Sequence, residues 1–162
     1  MTPVAGVGAL VARWAHFYSD RKAVSAGVTY LHLAGILLGG GMAIAADRTS
    51  LQLVPAAEPD MPRELARLRA VHRVVLAGLA VTITSGLAIL LSDLDTYLSS
   101  ALYWTKMALV ALLLLNGFVR LRAEQRLARG EDAWRRFRVT SALSLVLWFS
   151  ILLAGAFLTT IA

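Results

Sequence analysis

The sequence contains no cysteine, which excludes disulfide bonds and thiolate ligation of zinc, copper or an iron–sulfur cluster. Any metal would have to be held by histidine or by oxygen ligands. Charged residues are also scarce, at 16% of the chain against 58% hydrophobic residues. A soluble domain of this length would carry more apolar surface than its core could hide. The composition therefore indicates a membrane protein, and one domain over residues 1–162 explains the whole chain.

Signature motifs of several reaction classes are missing as well. The sequence has no HExxH, no phosphate-binding GxxxxGK[ST] and no GxSxG nucleophile motif. No acidic residue lies within a long apolar stretch, because Asp47, Asp93 and Asp95 fall at the ends of such stretches. Proton-coupled transporters generally depend on a membrane-embedded carboxylate, so this class is disfavoured. The sequence names no reaction, and whether the protein is an enzyme stays open.

Four long apolar stretches dominate the chain, and each reaches the ~20 residues that a helix needs to cross a bilayer. They predict an all-α, polytopic membrane protein built as a bundle of four transmembrane helices. Small residues recur four apart on the first two predicted helices, a pattern that lets helices pack closely. The stretches are residues 23–46, 70–92, 96–119 and 139–162, and the small-residue stripes are Gly35, Gly39 and Ala43 on the first helix and Gly78, Thr82 and Gly86 on the second.

The basic residues predict the orientation of this bundle. The net charge is +6, and the arginines are concentrated in or beside the first and third loops. By the positive-inside rule these loops are cytoplasmic and both termini lie outside, which we expect of a bacterial-type cytoplasmic (inner) membrane. The arginines would contact anionic lipid, and no nucleic-acid partner is expected. They are Arg48, Arg63, Arg67, Arg69 and Arg73 near the first loop, and Arg120, Arg122, Arg126, Arg129, Arg135, Arg136 and Arg138 near the third.

The N-terminal segment and the loops also contain patterns that predict structure. Apolar residues at helical spacing from Val4 to Phe17 predict an N-terminal interfacial helix, in which the role of His16 is left open. A basic signal-peptide start is lacking, so the whole chain is expected to be mature. The second helix is expected to begin near Pro62 and to run to Leu91. Acidic residues among the arginines of the third loop predict helix extensions joined by ion pairs.

Ionisable residues inside the spans are the candidates for chemistry, because each costs roughly 3 kcal/mol near the bilayer centre. His32 lies ~13 Å below the outer surface, and Lys106 lies at a comparable depth, so the two can meet in one layer. Lys106 could instead reach outward to Asp93 and Asp95, and His32 could simply bond a neighbouring carbonyl or hydroxyl. Trp148 lies at mid-depth, either as a core or lipid-facing filler or as a wall of a buried ligand site.

His72 lies at the cytoplasmic boundary, where a histidine is either solvated or available for ligation or proton transfer. His32 and His72 should differ in depth by ~13 Å. Two nitrogens that ligate one metal ion lie only ~4 Å apart, so these two histidines cannot share an iron. A single haem held by His32 and another axial donor, or two separate sites, stays open.

Two short motifs resemble a known group of proteins. They are YLHLAG at residues 30–35, continued by GGG at residues 39–41, and WTK at residues 104–106 before an apolar helix. The pattern resembles small bacterial membrane proteins that include the four-helix protoporphyrinogen oxidases of haem biosynthesis and the membrane domain of copper-resistance protein D. The resemblance implies a haem- or porphyrin-handling site that involves His32 and Lys106. The sequence departs from the pattern at residues 116–117, where Asn-Gly stands near the place of a further histidine.

Two hypotheses of function follow. In the first, the protein binds haem b or a porphyrin and is redox-associated, with His32 as the axial metal ligand and Lys106 paired with a propionate or another anionic group. Trp104 and Trp148 would contribute to the cofactor site. In the second, it is a non-catalytic accessory or scaffold subunit of a larger membrane complex, or a homo-oligomer. Its glycine stripes and arginine-rich loops would then dock the membrane-protein partner.

Overall fold

A computed structural model describes residues 3–53 and 61–161, and every regular element in these ranges is an α-helix. As the apolar stretches predict, four of the helices are long and apolar enough to cross a membrane. A further helix precedes them, and a short one joins the second long helix to the third. The elements are α1 Pro3–Asp20, α2 Lys22–Gln52, α3 Met61–Leu90, α4 Leu94–Ser99, α5 Ala101–Ala128 and α6 Trp134–Ile161.

Several predicted boundaries move in the structure. Helix α2 continues to Gln52, past the predicted end at residue 46. The third predicted stretch is divided at Ser100, whose hydroxyl accepts a hydrogen bond from the Tyr103 amide at 3.3 Å and so caps α5. Helix α5 also extends to Ala128, so the third loop is shorter than the apolar stretches alone suggest. The extended helices place several polar residues inside the bundle rather than in loops.

The long helices form two antiparallel hairpins, α2 with α3 and α5 with α6, connected by residues 91–100. The hairpins pack on each other mainly through α2 and α6, whereas α3 and α5 make few contacts. We call the end that contains residues 91–100, the start of α2 and the end of α6 the turn end. The opposite end, with the end of α2, the start of α3 and residues 129–133, is the arginine end.

The predicted glycine stripes pack directly against each other within the first hairpin. A Cβ atom on Gly35 would lie 2.8 Å from the Thr82 amide nitrogen, and one on Gly39 would lie 3.1 Å from the Leu79 amide nitrogen. Backbone meets backbone here, as small-residue stripes predict. Because both stripes are used inside the chain, they are not left exposed to dock a partner, and this support for the accessory-subunit hypothesis is removed.

Two clusters of buried apolar side chains hold the hairpins together. The mid-height cluster contains Trp148, which is 5% exposed and whose ring lies 3.0 Å from the position of a Cβ on Gly40. One cluster surrounds mid-height and the other lies nearer the arginine end, while Ala154 and Leu158, nearer the turn end, belong to neither. The mid-height cluster is Ala43, Val75, Leu113, Leu147, Trp148 and Ile151, and the second is Ala46, Leu53, Leu68, Ala123, Ala133 and Phe137.

The outward faces of the long helices are apolar. Leu37 is 74% exposed, Leu115 60% and Phe149 61%, and large aliphatic side chains surround each of them. Contiguous apolar surface on this scale is rare on monomeric soluble proteins and marks a surface that is covered by lipid or by protein.

Helix α1 packs against the turn end. The Trp14 indole Nε1 donates a hydrogen bond to the Ala88 carbonyl of α3 at 2.8 Å. Arg21 is the non-helical residue between α1 and α2, and its guanidinium lies over the Phe17 ring at 4.8 Å from the ring centroid. The side chain of Leu10 remains 64% exposed, so α1 keeps an apolar face uncovered.

Ion pairs tie the short connection between α5 and α6, as the alternating charges predict. Glu131 accepts hydrogen bonds from Arg126 Nε at 2.6 Å and Arg129 Nε at 2.8 Å. The bonds from Arg129 and Arg126 hold the pKa of Glu131 below its ordinary value. A lowered pKa in the folded state stabilises the fold above the unfolded-state pKa, and the stabilisation is lost as pH falls through the folded-state pKa.

We therefore expect Glu131→Gln to lower the thermal unfolding midpoint slightly at neutral pH and to have no effect once the wild-type carboxylate is protonated. The measurement is the midpoint of both proteins across an acid pH series. Asp132→Asn is the matched control, because Asp132 is exposed on the same connection. A difference between wild type and Glu131→Gln that stays constant through the acid range would contradict the assignment.

Candidate functional site

His32 is fixed against α3 by its own ring nitrogen. Nδ1 lies 3.0 Å from the Thr82 carbonyl oxygen and 3.1 Å from Ser85 Oγ. A carbonyl only accepts, so Nδ1 carries the proton and donates. Nε2 then keeps its lone pair, and it makes no hydrogen bond with residues 3–53 or 61–161. The ring also rests on Gly86, where a Cβ would lie 3.1 Å from His32 Cε1.

Lys106 lies in the same layer of the bundle, on the other hairpin. Its Nζ is 3.6 Å from the position of a Cβ on Gly155 of α6. From the contact of Gly40 with Trp148, His32 lies ~12 Å along α2 and Gly155 ~10 Å along α6, both toward the turn end. The structure thus brings the two predicted residues to one level.

The Lys106 ammonium has no hydrogen-bonding or ion-pair partner within the described part of the chain. No ion pair joins it to Asp93 or Asp95, the partners that an outward-reaching lysine would take. The side chain is half-buried, and burial without a counter-ion is unfavourable for a cation. Among the described residues, this layer therefore has an unpaired ammonium on one hairpin and an imidazole with a free nitrogen on the other.

The other predicted residues lie elsewhere. Trp104 is 57% exposed, and its Nε1 donates to the Leu98 carbonyl at 3.0 Å, which places it on the surface beside α4. Trp148 is buried, but it lies at mid-height against Gly40. His72 precedes Thr82 by ~15 Å along α3. Because His32 bonds to Thr82, the two histidines lie at different depths in the bundle.

A second polar site lies at the arginine end, and the sequence pattern did not predict it because Asp47 falls at the end of an apolar stretch. Because α2 continues to Gln52, Asp47 lies within this helix and is only 1% exposed. Arg120 of α5 approaches its Oδ1 with Nε at 3.1 Å, and the hydroxyls of Ser141 and Ser144 lie beside the same carboxylate. The expectation that no acidic residue lies inside a helix of membrane-spanning length is therefore wrong for Asp47.

The donors of Arg120 are directed mostly at serine hydroxyls. Nε donates to Ser141 Oγ at 3.2 Å and Nη2 donates to Ser50 Oγ at 3.0 Å, while the guanidinium lies 5.4 Å from the Phe137 ring centroid. Asp47 Oδ1 accepts no aligned hydrogen bond from the described residues, so its contact with Arg120 is one of charge. The cluster joins α2, α5 and α6 around one buried ion pair.

The sequence did contain a signal for this site. Asp47 is the next member of the stripe that runs through Gly35, Gly39 and Ala43 at intervals of four. A residue on the stripe faces the bundle interior whatever its polarity. An acidic residue that continues a packing stripe predicts a buried partner, and Arg120 is that partner.

Other recognisable sites are few in the part of the chain that the structure describes. Residues 3–53 and 61–161 contain no group of three or more His, Cys, Asp or Glu side chains that could hold a metal ion. An open concavity of ≈ 760 Å³ lies along α1 beside Trp14 and Arg21, away from His32 and Lys106. A metal at His32 would thus need a ligand set that the cofactor itself largely provides, as a porphyrin does.

Fold and sites together define an all-helical protein with four helices of membrane-spanning length and with polar layers near both ends. Comparisons with protein-family models, with curated proteins and with solved structures found no match to this chain.

Proposed function

We propose that this chain is an integral membrane protein whose four long helices cross a bilayer of the bacterial cytoplasmic type. Support comes from the exposed apolar faces of all four helices and from the arginines gathered at one end. By the positive-inside rule the arginine end is cytoplasmic and both termini lie outside. Helix α1 then lies in the outer interface, with the exposed Val7 and Leu10 toward the acyl chains and Arg21 toward headgroups.

The function that the geometry supports best is binding of haem or a porphyrin at His32 and Lys106. The observation that carries this proposal is the Nδ1–H of His32, which is held by the Thr82 carbonyl and leaves Nε2 free. Metal-ligating histidines commonly donate their other ring N–H in this way, which orients the ring and raises its basicity. A purely structural histidine would make the same bonds. The ammonium of Lys106, which lies in the same layer without a counter-ion among the described residues, is what favours an anionic ligand here.

The donors present fit such a cofactor. His32 Nε2 would hold the haem iron, Ser85 and Thr82 would orient the imidazole, and Lys106 would pair with a propionate through a charge-assisted hydrogen bond. When bound, haem would supply one-electron redox chemistry. Trp104 lies at the surface and Trp148 lies at mid-height against Gly40, so neither is assigned a contact with the cofactor.

The test is the visible absorption spectrum of the detergent-purified protein from haem-replete cells, oxidised and reduced, with extraction of any pigment. We expect a Soret band that shifts on reduction and that His32→Ala abolishes. His72→Ala is the matched control, because His72 lies on α3 near the arginine end, and it should keep the band. Circular dichroism checks that both variants stay helical. A folded His32→Ala variant with an unchanged Soret band would rule out His32 as the axial ligand.

The accessory-subunit hypothesis keeps one specific support. Arg73, Arg135 and Arg136 are exposed near the arginine end, where they can meet an acidic partner surface or anionic lipid. A stable, colourless preparation would favour this second function. Co-purification of a partner that is lost when these three arginines are replaced by glutamine would then establish it.

A further inference from the structure

The two ends of the bundle are held together differently. At the arginine end, polar side chains connect the first hairpin directly to the second, and one of the two apolar clusters lies there while the other lies at mid-height. The connections are Arg120 with Asp47 and Ser50, Arg69 with Glu124 at 3.3 Å, and Arg138 with the Leu51 carbonyl at 3.0 Å. At this end, polar contacts between the hairpins therefore involve all four long helices.

Toward the turn end, the polar side chains of each hairpin lie against their own hairpin. His32 of α2 bonds to α3, and Lys106 of α5 lies against Gly155 of α6. Within the described ranges, no hydrogen bond or ion pair in this half passes directly from α2 or α3 to α5 or α6. Residues 91–100 provide the covalent connection, and α3 and α5 make few contacts along their length.

We propose that α3 and α5 separate laterally in the turn-end half and admit an elongated apolar molecule with an anionic group from the lipid. The hairpins pivot about the arginine end, and residues 91–100 form a strap across the opening. The unpaired ammonium of Lys106 selects the anionic group, because a half-buried cation without a counter-ion gains most from one. That the admitted molecule is a porphyrin rests on the proposed function, but the opening between α3 and α5 does not depend on haem.

The absence of cysteine makes this opening directly measurable. Spin labels on introduced cysteines report distances between α3 and α5 in the full chain, reconstituted in lipid nanodiscs. Ile83→Cys with Ala108→Cys samples the turn-end half, and Ala70→Cys with Gln125→Cys samples the arginine end. All four positions are exposed. We expect the 83–108 distance distribution to be at least about twice as broad as the 70–125 distribution, and equal widths would overturn the proposal.

Ligand addition separates this inference from the haem proposal. Hemin and sodium oleate, an anionic apolar chain without a metal, are the probes. Each should narrow the 83–108 distribution and leave the 70–125 distribution unchanged, and Lys106→Gln should remove the narrowing. If hemin gives no Soret band while oleate narrows the 83–108 distribution, the haem proposal fails and the opening stands. If hemin binds while both distributions are narrow throughout, the opening fails and the haem proposal stands.

A second pair guards against a label that prevents folding. Thr84→Cys with Thr105→Cys lies in the same half on exposed positions of α3 and α5. It should show the same broad distribution without ligand and the same narrowing with oleate. A narrow distance distribution at both turn-end pairs without ligand would contradict the lateral opening.

Discussion

Replacing Gly78 by alanine should separate α2 from α3 and unfold much of the first hairpin. A Cβ on Gly78 would lie 2.6 Å from Gly39 Cα and 3.0 Å from the Gly35 carbonyl oxygen. Both neighbours are backbone atoms, so no side chain can rotate away to make room. Overpacking of a well-packed interior typically costs 1–3 kcal/mol, and a backbone collision belongs at or above the upper end of about 3 kcal/mol.

The measurement is the thermal unfolding midpoint in detergent, followed by circular dichroism. Gly41→Ala is the matched control, because a Cβ there meets nothing within 4 Å. It should be neutral or slightly stabilising, since alanine favours a helix over glycine by up to about 1 kcal/mol. Equal midpoints for Gly78→Ala and Gly41→Ala would show that the stripes do not touch as described.

Replacing Arg120 by methionine should be comparably damaging, for an electrostatic reason. The substitution leaves Asp47 inside the bundle at 1% exposure without its counter-charge. Removing one partner of a buried ion pair destabilises proteins by ~3–5 kcal/mol, because the remaining charge stays desolvated. Arg120→Lys should also be harmful, since one ammonium cannot reach Ser50, Ser141 and Asp47 in the geometry of the guanidinium.

A double-mutant cycle tests whether the charge of Asp47 is the cause. Asp47→Asn in the Arg120→Met background should recover ~1–3 kcal/mol of unfolding free energy, measured in mixed micelles. Arg122→Met is the control, because Arg122 is exposed on the same helix and only lies over the Phe118 ring, at 4.2 Å from the centroid. It should change the unfolding free energy by ~1 kcal/mol or less. Additive effects of Asp47→Asn and Arg120→Met would contradict a coupled pair.

Much of the fold follows from the sequence because apolar length and small-residue spacing are strong local signals. The four long helices, the close helix packing at the small-residue stripes and the start of α3 near Pro62 agree with expectation, whereas the sequence did not predict that the two stripes contact each other. The division at Ser100 does not follow from hydropathy, because a serine and its neighbours look like continuous helix until the cap is seen. The ends of α2 and α5 also run further than their apolar stretches.

Contacts that join several helices could not be predicted from the individual apolar stretches. Depth along the helices correctly predicts that His32 and Lys106 share a layer, because helix rise is fixed. The Asp47 cluster depends on three helices meeting, and no single stretch reveals Arg120 or Ser141 as partners. Helix rotation decides such contacts, and for Trp104 it also decided that the indole lies on the surface.

Because Trp148 contacts Gly40, the side chains at positions 40 and 148 compete for the same space. The indole occupies space that a side chain on α2 would otherwise fill, since a Cβ on Gly40 would lie only 3.0 Å from the ring. Across related chains, the size of residue 40 should therefore vary inversely with the size of residue 148. A chain with a larger residue at position 40 would need a smaller one at 148, so substitutions accumulate here in pairs.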